Sequence, residues 1–83
     1  MKKYRKKPVV VEAIRWTGEN WEEVSNWVAE NGFVDYQRGK FVIKNLEGDI
    51  VANIGDYIIK GEAGDFSPCK PDIFEVTYEE VEE

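Results

Sequence analysis

Histidine is absent from this 83-residue chain, and cysteine occurs once. These scarcities exclude Ser-His-Asp and Cys-His catalysis, disulfides within the chain, and the Cys and His clusters that bind zinc or iron–sulfur groups. No apolar run approaches the ~18 residues of a membrane span, and the apolar stretch after residues 1–7 is too short for a signal peptide. We therefore expect a cytoplasmic protein that contains no metal and no cofactor.

Aromatic side chains, by contrast, are plentiful. They make up 13% of the chain, with three Trp among them, and hydrophobic residues make up 42%. This content is too high for a disordered chain, whereas the length suffices for one hydrophobic core and not for two. We expect a single small domain over residues 1–83 that begins with a basic N-terminal arm, residues 1–7.

The charges are distributed unevenly along the chain. The net charge is −6, yet five of the eleven Lys and Arg residues lie within residues 1–7. From residue 8 onwards, the chain contains six Lys and Arg residues and all seventeen Asp and Glu residues. A body this acidic repels phosphate backbones, which argues against a nucleic-acid partner, and it could instead present carboxylates to a basic surface of a host protein.

The first half of the chain predicts a strand followed by a helix. Residues 8–16 carry apolar groups on both faces of an extended chain, which is typical of a central strand buried on both sides. Asn20 and Glu23 match a capping box, so we expect a helix to begin there and to end at Asn31 and Gly32. Its apolar face repeats at spacings of three and four residues, at Trp21, Val24, Trp27 and Val28.

The second half predicts a run of short strands joined by turns that contain glycine. These strands are residues 33–38, 41–46, 50–54 and 57–60, and residues 46–49 give the clearest hairpin signal. Residues 68–71 contain two prolines, which lack the amide that a central strand needs, so we expect an exposed, ordered loop. Residues 74–79 alternate apolar and polar groups and predict a final strand, with a helix that begins near Pro71 as the alternative.

The order strand, helix and β-meander indicates the α+β class, with one helix packed on a twisted, mainly antiparallel sheet. Five aromatic side chains should supply much of its core: Trp16, Trp21, Trp27, Tyr36 and Tyr57. Any of these left exposed would mark an interface. Because so small a sheet has edges to protect, we expect a homodimer.

Several stretches of the chain carry distinctive motifs. Residues 4–11 run from basic residues into a valine-rich strand, and residues 55–61 are Gly-Asp-Tyr-Ile-Ile-Lys-Gly. Residues 66–75 are Phe-Ser-Pro-Cys-Lys-Pro-Asp-Ile-Phe-Glu, and residues 78–79 are Tyr-Glu. Over about half of its length the chain thus resembles a family of short, uncharacterised bacteriophage and prophage proteins. The resemblance implies a bacterial cytoplasm and a non-essential accessory role, and it assigns no catalytic residue.

Four residues are candidates for a ligand site. Arg15, Lys60 and Lys70 are three of the six cations of the acidic body and could converge on an anionic ligand such as a nucleotide. The alternative is that each pairs with a surface carboxylate. Cys69 lies beside Lys70, whose ammonium could favour a thiolate, and its alternative role is packing within the loop.

Asp56, Asp65 and Asp72 are the acidic residues that could in principle bind a hard cation. Their spacing matches no known cation-binding loop. Asp56 and Asp72 also lie where turn-forming or helix-capping aspartates are common. We therefore expect structural roles for them and no metal site.

Three functions fit these observations. The favoured one is a non-enzymatic accessory protein that acts through protein–protein contact, for example with a host protein. The alternative is a protein that binds or sequesters a small anionic, nucleotide-like ligand in a cleft at a dimer interface. An enzyme that uses Cys69 or a pair of carboxylates is the third, and the missing histidine argues against it.

Overall fold

The computed structural model describes Lys2 and residues 10–28 and 33–79. Within these residues it contains six strands and two helices, which confirms the expected α+β class. The elements in chain order are β1 (Glu12–Arg15), α1 (Trp21–Val28), β2 (Phe33–Gln37), β3 (Lys40–Lys44), β4 (Ile50–Ala52), β5 (Tyr57–Lys60), β6 (Phe66–Cys69) and α2 (Pro71–Thr77). The rest of the basic arm, and the helix end expected at Asn31 and Gly32, lie outside the described residues.

The strands form two antiparallel sheets of three strands each. Sheet A has the order β1-β5-β6 and sheet B the order β2-β3-β4, and the two sheets meet where β4 lies against β6. The run of strands expected as one meander is therefore divided, because β5 pairs with β1 and β6 and not with β4. The chain passes from sheet B to sheet A at the turn after β4. In this turn the amide of Asp56 donates to the carbonyl of Asn53, and Gly55 has a φ of 100°.

Strand β1 differs from the central, doubly buried strand expected over residues 8–16. It lies at an edge of sheet A, with Glu12 and Arg15 exposed and the two residues between them half-buried. An apolar sequence favours burial, but it does not determine which strand occupies the centre of a sheet. Here β5 occupies it, and both of its middle residues, Ile58 and Ile59, are buried.

One hydrophobic cluster contains side chains from α1 and from both sheets. The helix contributes Val24 and Val28, which have no exposed surface, and its residues Trp21 and Trp27 pack against the cluster. Each fully buried valine stabilises the fold by about 1.5–3 kcal/mol. The apolar face predicted for the helix is therefore confirmed. The sheets contribute Phe41, Ile43, Ala52, Ile58 and Phe66.

The start of α1 is held by Asn20, although not through the expected capping box. The side-chain carbonyl of Asn20 accepts hydrogen bonds from the amide and the hydroxyl of Thr17, both at 3.0 Å. Its amide group donates to the backbone carbonyl of Arg15 at 2.8 Å and to the carboxylate of Glu23 at 3.0 Å. The Asn20 side chain both donates and accepts hydrogen bonds. It therefore stabilises the turn between β1 and α1 and does not cap the first amides of the helix.

Trp16, directly after β1, connects the two sheets. Its side chain is fully buried, and its indole N–H donates to the carbonyl of Gly39, in the β2–β3 turn, at 2.9 Å. Its backbone carbonyl accepts the amide of Gly55 at 2.7 Å. Its ring meets three aromatic rings edge-on, with centroids 5.3 to 6.4 Å apart: those of Trp21, Tyr36 and Phe41. One residue thus contacts sheet A, sheet B and α1.

The region after β5 corrects two predictions. Residues 68–69, the first half of the expected loop, belong to β6, where Pro68 pairs with Ile58. Proline is tolerated there because β6 is an edge strand, whose outward-facing backbone positions need no ladder amide. Residues 71–77 form α2 instead of the predicted strand, so the helix considered as the alternative is correct. Pro71 suits its first turn, where the amides have no partner within the helix.

Strands β2 and β3 are joined by a two-residue turn at Arg38 and Gly39. Their φ angles are 51° and 83°, the pair of positive values that is typical of a type I′ hairpin turn. Glycine adopts such an angle without strain, whereas for arginine it is unfavourable. A Cβ atom added to Gly39 would also lie 3.3 Å from the side chain of Ile54.

We predict that Trp16→Phe lowers the free energy of unfolding by about 2–3 kcal/mol, because it removes the donor to the Gly39 carbonyl and leaves a void among the aromatic rings. Trp27→Phe is the control, since Trp27 is half-buried and its indole N–H donates to the exposed Glu12 carboxylate at 3.1 Å. For this variant we expect a loss below about 1 kcal/mol. Urea unfolding followed by circular dichroism measures both, and equal losses would contradict the role assigned to Trp16.

Substitutions in the β2–β3 turn should act in opposite directions. Gly39→Ala should destabilise the fold by about 1–2 kcal/mol, because of the positive φ and the close approach of Ile54. Arg38→Asn should stabilise it by up to about 1 kcal/mol, because asparagine tolerates the left-handed conformation better than arginine does. Thermal unfolding of both variants beside the unchanged protein checks the pair. A stabilised Gly39→Ala variant would be incompatible with a type I′ turn.

Candidate functional site

Two of the four residues predicted to bind a ligand lie in one row across sheet A. Arg15 pairs with Tyr57 on β5, and Tyr57 pairs with Cys69 on β6. Residues directly opposite each other share a face, so these three side chains project from the same side of sheet A. It is the outer side, because the side chain of the next residue, Ile58, points the other way and is buried in the hydrophobic cluster.

On this outer face of sheet A, a stack of side chains attaches α2. The guanidinium carbon of Arg15 lies 5.9 Å from the centroid of the Tyr57 ring, and Tyr57 stacks on Phe74 with centroids 3.8 Å apart and planes at 9°. Phe74 stacks in turn on Tyr78, at 5.0 Å. None of the seven residues of α2, all of them described, is buried. The stack is therefore the main attachment of α2, and it leaves little of the Tyr57 ring open to a ligand.

The other two predicted residues lie elsewhere. Lys60 is three residues after Tyr57 and points to the opposite face of sheet A, where its ammonium lies 5.9 Å from the centroid of the Phe66 ring. Lys70 is exposed and directly precedes α2. The half-buried Cys69 donates its S–H to the Lys70 carbonyl, at 3.7 Å. Because Arg15 and Lys60 point to opposite faces, the structure does not bring the three predicted cations together.

The acidic residues considered as cation ligands take structural positions. The Asp56 carboxylate accepts the amide of Asn53 at 3.0 Å in the β4–β5 turn. The backbone carbonyl of Asp65 accepts the amide of Gly61 at 2.8 Å, and Asp72 lies in the first turn of α2. Within the described part of the chain, no group of three or more Cys, Asp or Glu residues is arranged to hold a metal ion.

An open depression of about 290 Å³ lies between the β3–β4 loop and the β5–β6 turn. Its lining includes apolar Ile43 and Phe66 and charged Lys44 and Asp65, and it includes none of the four residues predicted to bind a ligand. Lys44 already pairs with the Asp49 carboxylate, at 3.1 Å. A small-molecule site needs several polar groups that converge on the ligand, and this depression does not present them.

The most exposed apolar side chain on any described strand lies on the outer face of sheet B. Phe33, on β2, is 82% exposed, and Val51, on β4, is 40% exposed. The opposite face of the same sheet carries Phe41, which is fully buried in the core. The strand register places seven residues on this outer face, here called the Phe33 face: Phe33, Asp35, Gln37, Lys40, Val42, Lys44 and Val51.

Val42 lies at the centre of the Phe33 face. It pairs with Asp35 on one side and with Val51 on the other, and it is only 1% exposed. The other six residues of this face are all exposed. The Phe33 face therefore has a buried apolar centre at Val42, with Lys40 and Lys44 on either side of it along β3 and the exposed Phe33 and Val51 on the two flanking strands.

Asp35 accepts a hydrogen bond from one amide at the outer edge of β2. Its carboxylate accepts the amide of Tyr36 and the side-chain amide of Gln37, both at 2.9 Å. The hydrogen bond from Gln37 is the largest cause that holds the pKa of Asp35 below its usual value, and the Tyr36 amide and the charge of Lys44 act in the same direction. The Tyr36 amide is therefore not available to another strand at this edge.

Sequence reasoning missed the Phe33 face. It predicts strands at Phe33 and Val51 but singles out neither residue. The signal that could have found it is the turn at Arg38 and Gly39, because a two-residue turn determines the register of its two strands. That register places Phe33 on the same face as Gln37, away from the core.

Comparisons with models of protein families, with curated proteins and with solved structures give no match. The function must therefore be inferred from the surface of the chain itself. Among the residues that the structure describes, no helix has the length and apolar character needed to cross a membrane.

Phe74→Ala should loosen the attachment of α2, because Phe74 stacks on both Tyr57 and Tyr78. We expect the free energy of unfolding to fall by about 1–2 kcal/mol, and hydrogen exchange at the Tyr78 amide to become about tenfold faster. Val76→Ala is the control on the same helix, since Val76 is 86% exposed, and it should change neither quantity. Unchanged exchange at Tyr78 in the Phe74→Ala variant would mean that other contacts hold α2.

Proposed function

We propose that this chain is a non-enzymatic accessory protein of a bacteriophage or prophage, which acts in the bacterial cytoplasm by binding another protein. The observation that carries the proposal is the 82% exposure of Phe33 on the same sheet face as Val51, which is 40% exposed. Contact with a partner at exposed apolar groups on one face would expel water from them, which favours binding. The resemblance of residues 55–61 and 66–75 to phage proteins supports the biological setting.

The shape of the Phe33 face suits a protein partner better than a small molecule. Small ligands bind in clefts that bury most of their surface, whereas a sheet face is open. Three strands of up to five residues span about 10 Å by about 17 Å. This is smaller than the ~800 Å² that each side of a standard interface buries, so the Phe33 face would form its centre. Phe33 is the side chain best placed to act as the anchor, since aromatic residues are enriched among the residues that dominate binding.

The alternative function, binding of a small anionic ligand, has less support. Arg15 and Lys60 point to opposite faces of sheet A, and Tyr57 is already stacked between elements of the fold. The homodimer expected from the sequence remains a prediction. Strand pairing between copies would lack one amide donor at β2, where Asp35 accepts the Tyr36 amide, and one at β6, where Pro68 has no amide hydrogen. Native mass spectrometry after gentle purification would give the oligomeric state and would reveal any bound small molecule.

Partner capture tests the proposal. The full chain, with an affinity tag, is purified gently from bacterial host cells, and co-purifying proteins are quantified by mass spectrometry. We expect Phe33→Ser combined with Val51→Ser to lower the recovery of the partner by about tenfold or more, because the exposed apolar side chains of the Phe33 face are lost. Ile73→Ser combined with Val76→Ser is the matched control, since these residues of α2 are 52% and 86% exposed. Thermal unfolding verifies that both double variants remain folded.

The outcomes test separately the proposed function and the surface assigned to it. If the unchanged chain captures no protein above the tag-only background, the proposed function is wrong. Capture that survives the change at Phe33 and Val51 but is lost on the change at Ile73 and Val76 would retain the function and assign it to α2 instead.

A further inference from the structure

The Phe33 face lies on the most basic part of an otherwise acidic body. The β2–β3 hairpin, residues 33–44, carries Arg38, Lys40 and Lys44 against one acid, Asp35. From residue 8 onwards, the rest of the chain has three cations and sixteen acids. Half of the cations of this body therefore lie within the twelve consecutive residues that begin at the exposed Phe33.

These cations are accessible to a partner. Arg38 and Lys40 are exposed and form no ion pair with another described residue. Lys44 pairs with Asp49, but the two side chains are 45% and 42% exposed, and ion pairs in that setting are weak. Asp35 is the one acid of the hairpin, and it keeps its negative charge while its oxygens accept hydrogen bonds from Tyr36 and Gln37, so the cations exceed the acids by two. The hairpin thus presents net positive charge outwards.

We infer that the Phe33 face binds an acidic surface of a partner protein, with apolar groups of the partner at the centre of the contact. This inference rests on the proposed function and adds the chemistry of the partner. Phe33 and Val51, on the flanking strands, pack against the apolar groups, and Lys40 and Lys44, on β3 between them, face carboxylates. Charges in such positions add little affinity of their own, but they accelerate association and exclude basic partners.

A second copy of this chain fits the Phe33 face poorly. Two such faces carry net charge of the same sign, so they repel each other. In the aligned packing that is common between sheets, β3 would lie over β3, and Lys40 and Lys44 of one copy would lie against those of the other. The charge pattern therefore favours a different protein.

Nucleic acid is also attracted by cations, but the rest of the chain opposes it. Three cations could make about three phosphate contacts, which gives weak and strongly salt-dependent binding. The sixteen acids that surround the hairpin in sequence repel the phosphate backbone. Phe33 is also the one aromatic residue of the Phe33 face, whereas proteins that bind single strands stack successive bases on several aromatic rings. An acidic protein can pair carboxylates with the cations and pack apolar side chains against the apolar residues of the Phe33 face.

Peptide binding followed by NMR tests the inference on the full chain. The probe is a peptide of about twelve residues with Phe and Leu at its centre and Glu on both flanks, and the matched peptide has Gln in place of Glu. We expect the acidic peptide to shift the amide signals of β2, β3 and β4 and to bind about fivefold more tightly than the neutral one. This preference should shrink between about 50 mM and about 500 mM NaCl, because salt screens exposed charges.

Two double variants locate the charges responsible. Lys40→Gln with Lys44→Gln should weaken binding of the acidic peptide by about fivefold. Lys2→Gln with Lys70→Gln removes the same charge from two other exposed lysines and should change binding by less than about twofold. Glutamine is used rather than glutamate so that Asp49 does not gain an acidic neighbour at position 44.

Several results would overturn the inference. These are no binding of the acidic peptide, equal binding of the two peptides, equal effects of the two double variants, and signal shifts centred on sheet A or α2.

Tighter binding of a single-stranded DNA oligonucleotide would assign the face to nucleic acid. Self-association that is lost in the Lys40 and Lys44 variant would assign it to a second copy. Partner capture that requires Phe33 but not the lysines would retain the proposed function and reject the acidic partner.

Discussion

The contacts of Trp16 determine how the two sheets are arranged. Trp16 follows an edge strand of sheet A, yet its indole N–H donates to the β2–β3 turn of sheet B and its ring meets Trp21 of α1. A chain of this length has a small core, so one fully buried tryptophan supplies a large share of the buried apolar area. Because α1 and both sheets pack their inner faces against one cluster, each sheet also has an outer face that does not contribute to this cluster.

The two outer faces are used differently. On sheet A, Tyr57 stacks on Phe74, and α2 covers part of the surface without burying any residue of its own. On sheet B, the neighbours of Val42 on the face are exposed, and Phe33 projects into solvent. The aromatic residues of sheet A are thus occupied by contacts within the chain, whereas the aromatic residue of the Phe33 face is not. This difference is why the ligand site expected around Arg15 loses support while the Phe33 face gains it.

The elements that could be predicted from the sequence are those with local causes. The spacing of Val24 and Val28 predicts α1, and glycine in tight turns predicts the hairpins. The division into two sheets could not be predicted, because it depends on the pairing of Glu12 with Lys60, far apart in the chain. The same limit applies to α2, since alternation over residues 74–79 favours a strand, and a contact with distant Tyr57 accompanies the helix. For the candidate site, the sequence shows which residues are apolar or charged, but it does not show which of them share a face of the sheet.

The composition of the Phe33 face follows from the β2–β3 turn. With positive φ at Arg38 and Gly39, the turn pairs Gln37 with Lys40, and alternation then places Phe33 and both lysines outwards. A slip of one residue would reverse the faces of a strand and direct charged side chains into the aromatic core around Trp16, where burial of an unpaired charge is costly. The hairpin therefore has one tolerable register. In that register Phe33, Lys40 and Lys44 share the outer face, so an exposed phenylalanine among lysines is a direct consequence of the fold.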